Sequence, residues 1–193
     1  MAKKKINPQE LLDAAEELLL ERGYSGFHFG ALSEKLGIGR STIYEYFSDK
    51  DELITAYMDQ VMNRVIEDCR ECAPLSGLNR LKGYLNVFLR YTQIQRIIQI
   101  LPMLDLSASP EGGEAVAKLI EQHRLIHRWI VEAIEEAKSM GEIRSDQSTR
   151  LIAAMIFSSI QLPDVMQGES VTGEMVIDLL YQGLHPDNGS PNR

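Results

Sequence analysis

Residues 37–53 read GIGRSTIYEYFSDKDEL. Gly37 is free to take positive φ, the conformation that closes a helix in a tight turn. Ile38 follows as an apolar plug. Arg40 then opens a second helix on which Ile43 and Phe47, four apart, share a face. Upstream, Phe29, Leu32 and Leu36 mark a short helix that stops at Gly37. Two short helices joined through Gly37-Ile38-Gly39 make a helix-turn-helix pattern. Leu32, Leu36, Ile43 and Phe47 would form the small core that fixes their crossing angle. That leaves Arg40, Ser41, Thr42, Tyr44 and Glu45 facing away from it. Hydrogen-bonding side chains near a helix N-terminus suit a DNA major groove. The same spacing suits a tight helical corner in an ordinary bundle, so the pattern alone leaves both readings open.

Outward from this stretch the chain reads as helices throughout. Asn7-Pro8-Gln9-Glu10 is a capped start with Pro at the first helical position and Glu three residues after the cap. Leu11, Leu12, Ala15, Leu18 and Leu19 follow at helical spacing, and Gly23 is the expected stop. The helix opened by Arg40 is expected to run to about Phe47. Ser48-Asp49-Lys50-Asp51 is another capped start, leading into a stripe from Leu53 to Ile66 that Ala73-Pro74 ends. Leu78, Leu81, Leu85, Phe88 and Leu89 mark the next helix. Ile94, Ile97, Ile98 and Leu101 mark a shorter one closed by Pro102. Residues 107–113, SASPEGG, read as a loop before a long helix that Gly141 stops. Residues 151–162, LIAAMIFSSIQL, are apolar nearly all round, which predicts burial on most faces. A last helix starts near Thr172 with Met175, Val176, Leu179, Leu180 and Leu184 inward. The reading is all-α with about nine helices: a helix-turn-helix domain over 1–50, a larger helical domain over 51–185 and a disordered tail over 186–193.

Composition narrows the classes. The 193 residues are 44% hydrophobic and 25% charged, ordinary for a soluble domain large enough to bury a core without disulfide or metal staples. The net charge of −8 argues against a protein that coats nucleic acid indiscriminately. Residues 1–50 hold seven Lys/Arg against eight Asp/Glu, whereas the remainder holds thirteen against twenty, so the acidity lies in the later part. Any meeting with a phosphate backbone would fall to the first fifty residues. Lys3, Lys4 and Lys5 could form a flexible arm along the backbone or minor groove, or a solvated start. They are followed by Pro8, Gln9 and Glu10 instead of an apolar stretch, so they open no signal peptide. No apolar run reaches the ~20 residues that span a bilayer. The expected compartment is the cytoplasm.

The residues in 37–53, with Ala14-Ala15, Gly23-Tyr24 and Leu32-Ser33 upstream, closely resemble the signature of the TetR family of bacterial transcriptional regulators. Gly37, Ile38, Thr42, Ile43, Tyr44, Phe47, Lys50, Asp51 and Leu53 fall on that signature, and the resemblance covers about residues 7–55. It implies a ligand-responsive repressor that binds a pseudo-palindromic operator as a homodimer, not an enzyme. By resemblance, Tyr44 and Lys50 would contact phosphates, while Arg40 and Thr42 are candidates for base edges and Ser41, Glu45 and Tyr46 lie within the same reading segment. Two departures stand out. Phe27 occupies the place of a hydroxyl that usually opens helix two, where His28 or Ser25 would substitute. Gly39 stands where Ser often opens the recognition helix.

The family also implies a dimer interface on the last two helices and a small-molecule pocket among the middle ones. The dimer candidates are Ile152, Met155, Ser159, Ile160, Val176, Leu179, Leu180 and Gly183. Small Ala153, Ala154 and Ser158 would permit close approach, and Phe157 flanks them. Tyr84, Phe88, Tyr91, Met103, His123, His127, Trp129 and Met155 are the candidate pocket lining, suited to an apolar or aromatic effector, although such residues also make plain core. His123 and His127 lie four apart and could hold a metal, but HRLIH lacks the Glu of a metalloprotease helix. Cys69 and Cys72 could form a redox or metal pair, or simply pack. No triad or glycine-rich phosphate loop is present, and no cofactor or resident metal is expected.

Overall fold

In this computed structural model the described residues are 6–91, 110–159 and 172–184. Eight helices are found among them: α1 Pro8–Gly26, α2 Phe29–Leu36, α3 Arg40–Ile43, α4 Lys50–Glu71, α5 Gly77–Arg90, α6 Pro110–Ser139, α7 Thr149–Ser159 and α8 Gly173–Leu184. The helix expected over 94–101 and the tail over 186–193 lie outside the described residues. The described residues fall into two compact units. One runs to Met62 and includes α6 as far as Ile120; the other begins at Asn63 and takes α6 from Glu121 onward. Among the described residues no helix is long and apolar enough to cross a membrane.

The first unit is set by its caps. Asn7 Oδ1 accepts the Gln9 N–H at 3.0 Å, and Pro8 opens α1. Gly23 takes φ +65° as the sequence requires, but the chain continues for one more turn to Gly26, so α1 is kinked at Gly23 instead of ending there. Leu11, Ala15 and Leu18 of α1, Phe27, Leu32 of α2, Ile43 of α3 and Leu53, Ile54, Tyr57 and Met58 of α4 form the buried centre. Lys35 on α2 bridges Glu17 at 2.9 Å and Glu21 at 3.3 Å on α1, and these carboxylates, Glu17 foremost, raise its pKa above the usual 10.5. Asp49 Oδ1 caps α4 by accepting the N–H groups of Asp51 and Glu52 at 2.9 and 2.8 Å. Across the start of α6, Lys118 pairs with Asp59 at 2.6 Å.

The second unit packs Val65, Ile66, Leu81, Leu85, Val87, Phe88, Ile130, Ile134, Ile152, Ile156 and Ile177 into one core. The N-terminus of α5 is capped by side chains from afar: Glu136 accepts the Gly77 N–H and Glu142 the Leu78 N–H, both at 2.9 Å. Gly173 donates to Asn86 Oδ1 at 2.9 Å, seating α8 on α5. Gly141, at φ +73°, stops α6 as its position predicts. The helix before it starts earlier than expected. Pro110 is its first residue, and Gly112 and Gly113 lie within it, although SASPEGG reads as a loop. Proline is well suited to a first helical turn, and the long apolar face beyond outweighs the ~1 kcal/mol that each glycine costs. A small apolar cleft, about wide enough for one water molecule, is lined by Leu78, Leu81, Ile143, Ile152, Ile156, Ile177 and Leu180.

Candidate nucleic-acid interface and effector cluster

The turn between α2 and α3 is built as the sequence demands. Gly37 sits at φ +64°, ψ +36°, and Ile38 N–H returns to the Ser33 carbonyl at 3.1 Å. α3 is shorter than expected: its α-helical part ends at Ile43, and residues 44–46 form a turn. Gly39 supplies no side-chain cap, and the i→i+3 bonds Thr42 N–H to Gly39 O and Tyr46 N–H to Ile43 O tighten the element at both ends.

Arg40, Ser41, Tyr44 and Glu45 are exposed, but Thr42 is not. At 5% exposure Thr42 is packed into the small core, so the expectation that it faces outward to a base edge is corrected. Its β-branched carbon skeleton fits a packed site as well as its hydroxyl fits a wet one. Tyr44 lays its ring edge on Phe29, centroids 5.0 Å apart, and remains 58% exposed. An apolar body fixed in the head with a polar tip in solvent is the form a phosphate-contacting phenol needs. Tyr46 is half-buried, and its hydroxyl donates to the Ile6 carbonyl at 2.9 Å.

His28 is the cap of α2: its Nδ1 accepts the Ala31 N–H at 3.0 Å. Neutral imidazole with Nδ1 as acceptor carries its proton on Nε2, so the exposed ring keeps a donor. A Cβ on Gly30 would come within 2.8 Å of an Arg40 guanidinium nitrogen and 2.9 Å of His28 Nδ1. The missing side chain is what lets Arg40 and His28 meet over the first turn of α2. Lys50, first residue of α4, holds its ammonium 3.8 Å from the Tyr24 ring centroid. Tyr24 in turn donates to Asp51 at 2.9 Å. Lys3, Lys4 and Lys5 lie outside the described residues.

In the second unit an aromatic cluster forms around a residue that sequence reading placed only at the flank of a dimer face. The Phe157 ring of α7 stands 5.7 Å from both His123 and His127 of α6 and 6.4 Å from Phe88 of α5. Of the predicted lining, only Phe88, His123 and His127 are brought together here. Tyr84 is core, and its burial pushes its hydroxyl up to about 12. Tyr91 donates to Asp68 at 3.0 Å. Trp129 is half-buried on α6, Met155 is exposed on α7, and Met103 lies outside the described residues. Partial desolvation and the neighbouring His127 hold His123 below the usual 6.5. Folding stability should therefore be full above about pH 6.5 and decline as pH falls below it, because the unfolded chain binds a proton that folded His123 resists. Melting temperatures from pH 7.5 to 5 test this: His123→Gln should flatten the decline, and parallel curves for the two proteins would refute the assignment.

Cys69 and Cys72 are both buried, and desolvation raises each thiol, Cys69 to about 12. That works against the thiolate a redox or metal pair needs. Of the predicted dimer residues, Ile152, Ser159 and Val176 are buried, Leu180 is half-buried, Met155 and Leu179 are exposed, and Gly183 falls in α8. Ile160 lies outside the described residues. The expectation that Met175 and Leu179 face inward on the last helix is corrected, since they are exposed at 57% and 75%, and Leu151 of α7 is exposed at 55%.

The model of bacterial regulatory proteins of the tetR family matches residues 11–57, which span the head from the first turn of α1 into α4. Residues 11–57 thus carry a TetR-type DNA-binding head. Relatives that match along most of the chain are transcriptional regulators. The fatty acid metabolism regulator protein of Bacillus subtilis is 22% identical to it over 96% of this chain and 99% of its own length. The ketosteroid transcriptional regulator KstR2 of Mycobacterium tuberculosis shares the fold with a TM-score of 0.77 at 16% identity, over 97% of this chain and 100% of its own. AibR, in a complex with isovaleryl coenzyme A and operator DNA, does so with a TM-score of 0.71 at 17% identity, over 93% of this chain and 98% of its own. The head combines a glycine turn and an exposed phenol with an imidazole cap on α2.

Proposed function

We propose that the protein is a cytoplasmic, ligand-responsive repressor that binds a pseudo-palindromic operator as a homodimer. The observation that carries this is the head's polar face, where exposed Arg40, Ser41, Tyr44 and His28 and half-buried Lys50 belong to one compact unit. In this reading residues 1–50 are the DNA-binding domain and 51–185 the effector and dimer domain. Tyr44, Lys50 and His28 hold phosphates, and Arg40, the long flexible cation, reaches base edges with Ser41 beside it. Symmetric heads match a symmetric operator.

The Phe88–Phe157–His123–His127 cluster supports an effector with an apolar or aromatic part. The name of the Bacillus regulator and the coenzyme A thioester in the AibR complex favour an acyl-CoA. Effector bound in the second unit would act on the head along α4 and α6, the two helices that run from one unit into the other. It shifts the equilibrium only by preferring one head spacing over another.

Selection from random duplexes is the test. A two-fold related sequence should emerge, and fatty acyl-CoA compounds of graded length should release it. Lys50→Ala should weaken binding to every duplex and lower the salt slope by about one per head. No sequence preference at moderate salt would refute the reading.

A further inference from the structure

Gly30 lies buried in the first turn of α2, and no left-handed conformation accounts for a glycine there. Glycine is a poorer helix former than alanine, so the backbone of α2 gains nothing from it. What a side chain would meet gives the reason. A Cβ at this position would stand 2.8 Å from Arg40 Nη2, 2.9 Å from His28 Nδ1 and 3.2 Å from His28 Cε1, its nearest atoms outside the helix's own backbone. The space left by the missing methyl is bounded by a guanidinium and an imidazole. The imidazole is fixed, because Nδ1 accepts the Ala31 N–H at 3.0 Å. The guanidinium rests over the positive end of α2, where a cation gains nothing from the helix dipole. Its seat is therefore not explained by the stability of the α2–α3 corner.

We propose that Gly30 is a specificity-determining residue: the notch left by its missing side chain seats the Arg40 guanidinium and so fixes which base pair of the half-site Arg40 reads. This rests on the DNA-binding reading above, in which Arg40 reaches base edges. Arg40 is the first residue of α3, and Gly39 before it has no side chain to steer it. A free arginine samples many rotamers, all but a few of which must be given up on binding. Bidentate pairing with guanine O6 and N7 needs both the plane and the position of the guanidinium fork. A guanidinium already resting in one place loses less freedom in adopting that geometry and is kept from neighbouring base pairs. Alanine at position 30 would fill the notch. The guanidinium, at the far end of a flexible chain, would swing out with little effect on the fold, and selectivity is what would be lost.

Operator selection from random duplexes reads the effect directly, with the wild type, Gly30→Ala, Arg40→Ala and the double variant compared. Gly30→Ala should lose at least about fivefold of the preference at one base pair per half-site, the pair that Arg40→Ala also relaxes, and leave other positions within about twofold. In the Arg40→Ala background it should change nothing further. A merely structural role would weaken all duplexes alike and lower the melting temperature, so thermal melts accompany the selections. Because the His28 ring must also give way, Gly30→Ala is repeated together with His28→Ser, which keeps a capping hydroxyl on α2 and leaves no ring in the notch. The loss at the Arg40 base pair should persist there. Unchanged preference at that pair, a uniform loss across duplexes, a shift that survives removal of Arg40, or recovery with His28→Ser would each overturn the proposal. A wild-type protein that selects no operator, or an Arg40→Ala protein with every preference intact, would instead sink the DNA-binding reading or the part of Arg40 in it.

Discussion

Leu179→Asp is expected to leave the protein monomeric and to lower its operator affinity by about two orders of magnitude or more. Leu179 is 75% exposed on α8, one turn from Met175 at 57%. On α7, Leu151 and Met155 are 55% and 43% exposed, and Ala154 and Ser158 share their outward side. The two helices line one small cleft with Ile152, Ile156 and Ile177, so their opposite sides are what remains for a partner. A set of large apolar side chains facing water marks an interaction surface, and small Ala154 and Ser158 permit close helix approach. A second copy covers this face in the proposed dimer. An aspartate at Leu179 would then bury an uncompensated carboxylate at a symmetric contact, twice per dimer. Losing the second head removes the effective concentration that links two half-sites, worth 10²–10⁴ in affinity. Sedimentation and gel shifts on a full operator and on an isolated half-site check both claims together. Half-site binding should be unchanged while full-operator binding collapses. A variant that remains dimeric would move the interface elsewhere. Ile152→Ala and Val176→Ala, by contrast, should lower stability without dissociating the dimer, because those side chains face the protomer's own core.

What could be read in advance follows the range of the physics involved. Local backbone rules were legible: Gly37 and Gly141 take the left-handed conformation, and Asn7 and Asp49 cap as their positions demand. These features depend on a few neighbours and on φ. Thr42 was misread because a β-branched hydroxyl residue is equally at home packed or wet, and only its 5% exposure shows which holds here. The apolar run in α7 was visible, but the burial on most faces that it predicts is not found, because Leu151, Ala154, Met155 and Ser158 are exposed. An all-round apolar helix asks for cover without saying which of its sides packs on its own chain. Phe157 emerged as the centre of the aromatic cluster only when α5, α6 and α7 were brought together. The Tyr46–Ile6 bond joins residues that no local pattern connects.

The cap of α5 makes the strongest prediction for stability. Gly77→Ala should cost about 2.5–5 kcal/mol, the sum of two separate penalties. Gly77 sits at φ +51°, where a Cβ raises the energy by about 1–2 kcal/mol. That Cβ would also fall on Glu142 Oε2, the acceptor of the Leu78 N–H, with Met140 Sδ 3.2 Å away on the other side. The carboxylate tip can swing aside, but only by releasing the Leu78 N–H, and a charged hydrogen bond of this kind is worth about 1.5–3 kcal/mol. Glu136 is less able to take its place, because it already accepts from Gly77 and bridges Arg80 at 3.1 Å. For a chain of this size each kcal/mol moves the melting temperature by about 2–4 °C, so a drop of roughly 5–20 °C is expected. Gly113→Ala supplies the opposite sign. That glycine lies inside α6 with open space around its missing Cβ, and alanine there should raise stability by up to about 1 kcal/mol. Thermal melts of both variants decide the matter. A Gly77→Ala protein melting with the wild type would mean that the α5 cap contributes nothing, and that packing of Leu81, Leu85 and Phe88 alone holds the helix in place.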